Sequence, residues 1–239
     1  MKRISVKQSY KKFYDSDKGS FDPLDSFYWA ERAFLEFLQK NELIAKDEVE
    51  TFSATYKLRF EEAKEKVSHL IRNEMDKGNV YFTLIAVASY EAFLEMGKSK
   101  EEAIVLMDEC LNMPTRAFVI DGTRKMLDSS SDPFKSIVKA SKDREASFFG
   151  ESFDFERLVD NEFGYILHVR KCLFHLVLKT LGRQELQPSL CRLDLGWINA
   201  IDPGKHHMTF VRPVTFATGN ICQMWFIRKE KEILKDHES

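Results

Sequence analysis

The hydrophobic pattern of the chain changes after Ala146, and this change constrains the fold more than any other feature. Before it, apolar residues recur at helical spacing, as they do from Phe27 to Leu43. After it, segments rich in Phe, Val, Ile and Tyr show the partial alternation typical of strands. The pattern predicts an α+β protein with a helical region over 1–145 and an α+β region over 146–239, packed as one compact unit.

In the helical region, capping and stop residues predict where the first helices begin and end. Asp25 is a candidate N-cap of the first helix, and a second helix is expected from Asp47 to Asp76, before Gly78. The third segment is apolar nearly all round, which is typical of a central helix. Asn79 is expected to cap this central helix, and Gly97 to end it.

The next helix has the clearest start signal. Ser99 and Glu102 have the spacing of a capping box. Pro114 is expected to end this helix, since proline removes a backbone donor from a helix interior. Two shorter helices should follow, separated by a loop over Ser129–Asp132.

The C-terminal region is expected to form a mainly antiparallel β-sheet with two packed helices, in the order ββααββ. Two strands should meet near Asp160 and Asn161. A helix should then run from Cys172 to Gly182, and a second over 186–200. Two more strands, joined by a turn over 218–220, should complete the sheet.

Composition narrows the function classes. The 239 residues include 36 basic and 38 acidic side chains, for a formal net charge of −2, so no basic excess indicates a nucleic-acid partner. With 44% hydrophobic residues and 20 Phe, the chain can bury a core without disulfides or a structural metal. Composition therefore argues against a nucleic-acid partner and leaves open a small-molecule ligand or substrate and a homo-oligomer.

The same sequence predicts a cytoplasmic protein that does not enter a membrane. No run approaches the roughly 18 apolar residues of a membrane span. The basic N-terminal segment is not followed by the apolar region of a secretory signal.

Four cysteines carry the candidate chemistry. None forms a Cys-x-x-Cys pair, so thiols are expected rather than disulfides. Cys110 lies on an apolar helical face and is interpreted as a core residue. Cys191 and Asp194 would share one face of a helix, although a carboxylate among apolar neighbours is costly unless it is paired.

Residues 163–227 resemble the C-terminal part of the L-2-amino-thiazoline-4-carboxylic acid hydrolase family. In that pattern a strand leads to a Cys that opens a helix, and a Leu-Gly ends the helix. A Cys and an Asp three apart follow, then an Arg with a nearby Thr, and a Gly just before a Cys in the last strand. This sequence supplies, in order, Cys172, Leu181-Gly182, Cys191 with Asp194, Arg212 with Thr215, and Gly219 with Cys222.

The sequence differs from the family pattern at two positions and also resembles a second, more distant family. Ile221 and Gln223 stand where many members have His and Asp. More faintly, the chain resembles 4-vinyl reductase-type domains, which are small-ligand sensors or carriers of similar topology.

The resemblance implies a hydrolase that opens a small cyclic C–N/C–S substrate bearing a carboxylate. Such a reaction needs an activated nucleophile, an acid for the leaving sulfur, and a cation for the carboxylate. The implied catalytic residues are Cys172, Cys191, Asp194 and Cys222, and the implied substrate-binding residues are Arg212, Thr215 and Asn161. Cys172, Cys191, Asp194, Arg212 and Cys222 are expected to converge on one pocket.

Several alternatives stay open at this point. The protein could bind or sense a small molecule without turning it over. Asp194 could simply cap a helix or pair with Arg212. Neither a cofactor nor a metal is expected, but zinc at the Cys/Asp cluster is a less favoured alternative, since its ligand types fit and its spacing does not. His206 and His207 are expected at the surface.

Overall fold

The computed structural model describes residues 22–193 and 197–229. The helices are α1 (Pro23–Lys40), α2 (Val49–Val67), α3 (Glu74–Glu95), α4 (Lys100–Asp128), α5 (Pro133–Arg144), α6 (Leu173–Leu181) and α7 (Gln187–Leu193). The strands are β1 (Asp154–Asp160), β2 (Gly164–Lys171), β3 (Met208–Val211) and β4 (Cys222–Arg228). A π-helical turn (Glu145–Phe149) links α5 to the start of the sheet region.

The predicted α+β class and the ββααββ order are confirmed. The four strands form one antiparallel sheet in the order β1-β2-β4-β3. The predicted hairpin at Asp160 and Asn161 joins β1 to β2. The first strand was expected directly after Ala146, but that stretch is the π-helical turn, and β1 begins only at Asp154.

The start of α1 differs from the prediction by three residues. Asp22, not Asp25, caps the helix, because the Asp22 carboxylate accepts a hydrogen bond of 2.7 Å from the Leu24 backbone N–H. Pro23 then occupies the first helical turn, where its missing N–H costs nothing. Asp25 lies in that first turn, where its negative charge interacts favourably with the helix dipole.

The predicted break at Gly78 and Asn79 is wrong, because both residues lie inside α3. That helix starts earlier, where the Asn73 side chain accepts from the Asp76 backbone N–H at 2.8 Å. A Cβ at Gly78 would come within 2.3 Å of the Pro23 carbonyl carbon, so glycine here permits close packing of α3 on the start of α1.

The capping box at Ser99 and Glu102 is confirmed, whereas the expected stop at Pro114 is wrong. Pro114 lies inside α4, which continues to Asp128. An internal proline costs about 3 kcal/mol. Buried side chains on both sides of it, including Leu111 and Leu127, anchor the helix to the core and offset that cost.

The predicted second helix of the sheet region is confirmed only in its first half. Among the described residues, helix α7 covers Gln187–Leu193 and a 3-10 turn covers Ile198–Ala200. Residues 194–196, including Asp194, lie outside the described residues.

The largest buried cluster is shared by the helical region and the sheet region. It extends from Phe27 in α1 through Val80 in α3 to Val169 and Cys222 on the sheet. A smaller cluster places Leu127 of α4 against the other half of the inner sheet face. In the described part of the chain, no helix has the length and apolar character needed to span a bilayer.

We predict that Gly78→Ala lowers the free energy of unfolding by about 1–3 kcal/mol, because the added methyl group overlaps the backbone of α1. Helix propensity alone would favour alanine by about 1 kcal/mol. Urea unfolding measures the difference. Gly204→Ala is the control, since its Cβ would meet only the Asp202 carboxylate, at 3.4 Å. Equal stability of the two variants would contradict the proposed helix contact.

Candidate functional site

A cavity of about 540 Å³ lies between the inner face of the sheet and helices α1, α4 and α5. Its volume falls in the range of about 300–1,000 Å³ that is usual for small-molecule sites. Aromatic side chains make up much of its wall. They are Trp29, Phe82, Phe118, Phe148, Phe149, Phe153, Phe155, Phe174, Trp197 and Phe216.

The structure brings together four of the five side chains expected to converge. Cys172, Cys191, Arg212 and Cys222 all line this cavity. Cys172 is the N-cap of α6, as expected, and Cys191 lies in α7. Cys222 is the first residue of β4, and Arg212 follows β3. We refer to these four residues as the thiol end of the cavity.

Arg212 connects the two elements that carry Cys191 and Cys222. Its Nε donates a hydrogen bond of 3.2 Å to the Cys222 sulfur, and its Nη1 donates one of 2.8 Å to the Cys191 carbonyl oxygen. A cation beside a sulfur favours the thiolate over the thiol. The guanidinium therefore both positions the thiol end and supplies positive charge to it.

Two residues that the sequence reasoning did not place in the site hold the Cys191 side chain. The Gln187 amide donates from Nε2 to the Cys191 sulfur at 3.3 Å. His175 Nδ1 donates to the Gln187 amide oxygen at 3.0 Å, and its ring stacks on Phe216 at 4.9 Å. Gln187 is only 3% exposed, so this amide has a fixed position. Gln187 precedes Cys191 by four residues, and that helical spacing could have indicated the contact.

Two other predicted site residues, Asn161 and Thr215, do not lie at the thiol end. Asn161 lines a separate surface cavity at the β1–β2 turn, where its side chain accepts from the backbone N–H groups of Phe163 and Gly164. Thr215 stabilises its own turn, since its hydroxyl accepts from the Ala217 N–H at 3.2 Å. Asp194 lies outside the described residues, so its expected pairing with Arg212 stays a prediction.

The expectations for Cys110 and the histidine pair have mixed outcomes. Cys110 is fully buried in the core, as predicted, and burial raises the pKa of its thiol. His207 is exposed, but the surface prediction is wrong for His206, which is 3% exposed. The His206 ring accepts from the Asp202 backbone N–H and contacts the Asp128 carboxylate at 2.9 Å. This contact helps to lower the pKa of Asp128, after the larger contribution of Lys205.

The described residues contain no cluster of side chains that would support the zinc alternative. Within 22–193 and 197–229, no three His, Cys, Asp or Glu side chains are grouped as metal ligands would be. The zinc hypothesis also required Asp194, which is not among these residues.

At a second part of the cavity wall, a buried carboxylate has its partners within the protein. Glu145, which is 6% exposed, accepts a hydrogen bond of 2.5 Å from the Tyr165 hydroxyl and pairs with the Arg157 guanidinium. Burial, together with this hydrogen bond, raises the pKa of Tyr165.

The fold and the cavity define the class of this protein: a helical layer on an antiparallel sheet, enclosing an aromatic cavity with three thiols and an arginine at one end. Residues 78–226 match the family model of L-2-amino-thiazoline-4-carboxylic acid hydrolase. The match covers more than half of the chain, and the chain belongs to this family. Neither the curated proteins nor the solved structures that were searched gave a match.

We predict that Gln187→Leu slows alkylation of Cys191 by iodoacetamide about threefold to tenfold at fixed pH, because one hydrogen bond to the sulfur is lost. Peptide mass mapping would follow Cys191 separately from the other three thiols. Gln184→Leu is the matched control, since Gln184 is exposed in the preceding turn. An unchanged rate in Gln187→Leu would show that the amide does not affect the sulfur.

Proposed function

We propose that the protein is a hydrolase that opens a small cyclic C–N/C–S substrate bearing a carboxylate, at an amidine-like ring carbon. The observation that carries this proposal is the contact of the Arg212 guanidinium with both Cys191 and Cys222, at the end of a cavity of ligand size. Family membership gives the reaction class its prior support.

Cys191 is the proposed nucleophile. It is half-buried, lines the cavity and receives an N–H hydrogen bond on its sulfur from Gln187. Its thiolate would attack the amidine carbon, and the bond from that carbon to the ring sulfur would break. The ring sulfur would leave as a thiolate and take up a proton. Water would then attack the same carbon, forming a C–O bond and releasing Cys191, so that the product is a urea with a free thiol.

Arg212 has two proposed roles. Its charge, next to the Cys222 sulfur, favours a thiolate at that position, and the same charge favours binding of a carboxylate at the thiol end. Cys222 is 3% exposed and is therefore proposed as a partner that orients Arg212 rather than as the attacking group.

Gln223, which stands where many family members have Asp, does not lie in the cavity. Successive side chains of a strand point to opposite faces, and Cys222 faces the cavity, so Gln223 faces the outer side of the sheet, opposite His168. Ile221 is likewise absent from the described cavity wall. A family residue at position 223 would act from outside this cavity.

A non-catalytic binding protein is the second candidate function. The observation that favours it is the wall itself, which is mainly apolar and aromatic and would hold a ligand without any reaction.

We predict that the wild-type protein releases thiol from L-2-amino-thiazoline-4-carboxylate and that Cys191→Ser lowers kcat by about 1,000-fold or more, because the nucleophile is lost. A colorimetric thiol assay and calorimetric binding to the same variant would separate turnover from binding. Cys110→Ser is the control: it should lower the melting temperature and leave kcat nearly unchanged, since Cys110 is buried away from the cavity.

Two outcomes would contradict the proposal. Wild-type protein that binds cyclic acids without releasing thiol would favour the binding candidate. Full turnover by Cys191→Ser would move the reaction to another group.

A further inference from the structure

The cavity is much larger than the ring that the proposed reaction needs. At about 540 Å³ it has the size that usually holds a drug-sized ligand, whereas one five-membered ring with a carboxylate would occupy only a part of it. The proposed chemistry uses the thiol end alone. The remaining volume can therefore hold a further group of the same ligand.

The pairing of the strands gives the distance between Phe155 in the aromatic wall and Cys222 at the thiol end. Phe155 pairs with Val169, and Val169 pairs with Cys222, so these three residues form one row across the inner face of β1, β2 and β4. All three line the cavity. Since neighbouring strands are about 4.8 Å apart, Phe155 lies about 10 Å from Cys222 along this row.

Helix α4 gives a second, independent measure in a different direction. Its contact with α7 is made near Asn112, whose amide donates to the Ser189 carbonyl oxygen at 3.3 Å. The cavity wall then follows α4 through Thr115 and Val119 to Thr123 and Met126. At about 1.5 Å per residue, Thr123 lies about 12 Å beyond Thr115.

A continuous group of phenyl rings lines the wall from the start of α6, beside Cys172, to the π-helical turn and β1. Phe149 packs against Phe153 at 4.8 Å and Phe155 at 5.7 Å, and Phe153 packs edge-on against Phe174 at 5.3 Å. Such rings offer apolar surface and ring edges to a ligand. We refer to this group, with Phe148, as the aromatic end.

Charged groups near the aromatic end are compensated by the protein. Glu145 is held by Tyr165 and Arg157, and the Arg144 guanidinium lies 5.4 Å from the centre of the Phe149 ring. A buried charge that already has partners gains little from a ligand charge. An apolar group is therefore the chemistry that fits this end.

From these observations we infer that the substrate or ligand carries, besides its carboxylate-bearing ring, an aromatic or extended apolar substituent about 10–12 Å long that occupies the aromatic end. The identity of the reacting ring rests on the proposed function, whereas the substituent is inferred from the size and lining of the cavity.

The test compares L-2-amino-thiazoline-4-carboxylate with derivatives that carry benzyl, 4-phenylbutyl or longer arylalkyl groups on the exocyclic nitrogen. Dissociation constants would be measured calorimetrically on full-chain Cys191→Ser, and kcat/KM on the wild type. We expect the dissociation constant to fall about 30-fold from the parent to the 4-phenylbutyl derivative, because a phenyl group becomes buried. Affinity should fall again once the chain exceeds the cavity.

A cavity-filling variant on α4, along which the cavity wall extends about 12 Å from Thr115 to Thr123, tests whether the substituent also follows that wall. Thr123→Trp should weaken binding of the 4-phenylbutyl derivative at least tenfold and leave the parent compound nearly unchanged. Val105→Trp is the matched control, since Val105 lies on the same helix but is 55% exposed and away from the cavity. A loss that is equal for both ligands in Thr123→Trp would overturn the inference.

The remaining outcomes separate this inference from the proposed function. Turnover of the parent with no gain from any substituent would overturn the substituent and keep the hydrolase. A gain in affinity that depends on chain length, without turnover of any compound, would support the substituent and reject the hydrolase. Tighter binding of the parent than of every derivative would also overturn the inference.

Discussion

The pairing of the buried Glu145 carboxylate holds the helical layer to the sheet. A buried carboxylate that loses its partners costs about 3–5 kcal/mol. The contacts of Glu145 with Tyr165 of β2 and Arg157 of β1 therefore hold these two strands in position relative to the π-helical turn. Glu145 also begins the π-helical turn that carries Phe148 and Phe149. On the other side of this turn, the Asn79 amide of α3 donates to the Phe148 carbonyl oxygen at 2.7 Å. The turn is therefore fixed to both layers at once.

The cavity follows from that fixed junction. The two layers meet through the largest buried cluster at one side and through the smaller one at the other, and the space between them is bounded by rings that pack on one another. Ring pairs of this kind add roughly 0.5–1.5 kcal/mol beyond their buried area, so contacts between the rings stabilise the cavity wall. At the opposite side, Arg212 joins α7 to β4 and closes the thiol end. The same side chain thus has a structural and a chemical task.

Periodicity predicted the fold class because it reports which faces are buried, and this holds for the helical region, the hairpin and the last strand. The capping box of Ser99 and Glu102 was predictable for a related reason, since its contacts are local. Gly78 and Pro114 were misread because the contacts that decide them come from other elements of the core. The order of cysteines predicted most of the thiol end. The role of Glu145 depends on strands that follow it in the chain, so no local pattern could indicate it.

The two ends of the cavity favour opposite properties in a ligand: a negative charge at the thiol end and an apolar group at the aromatic end. An anionic group is costly to bury in an apolar wall unless N–H donors or a cation lie beside it. Arg212 and Gln187 place such donors at the thiol end, beside the sulfurs of Cys222 and Cys191. At the aromatic end, Glu145 already pairs with Tyr165 and Arg157. The phenyl rings offer no hydrogen bond that would offset the cost of desolvating a charged ligand group. An amphipathic molecule with its anionic group toward Arg212 therefore has one favourable orientation, and that orientation places its ring, rather than its apolar part, beside the sulfur of Cys191.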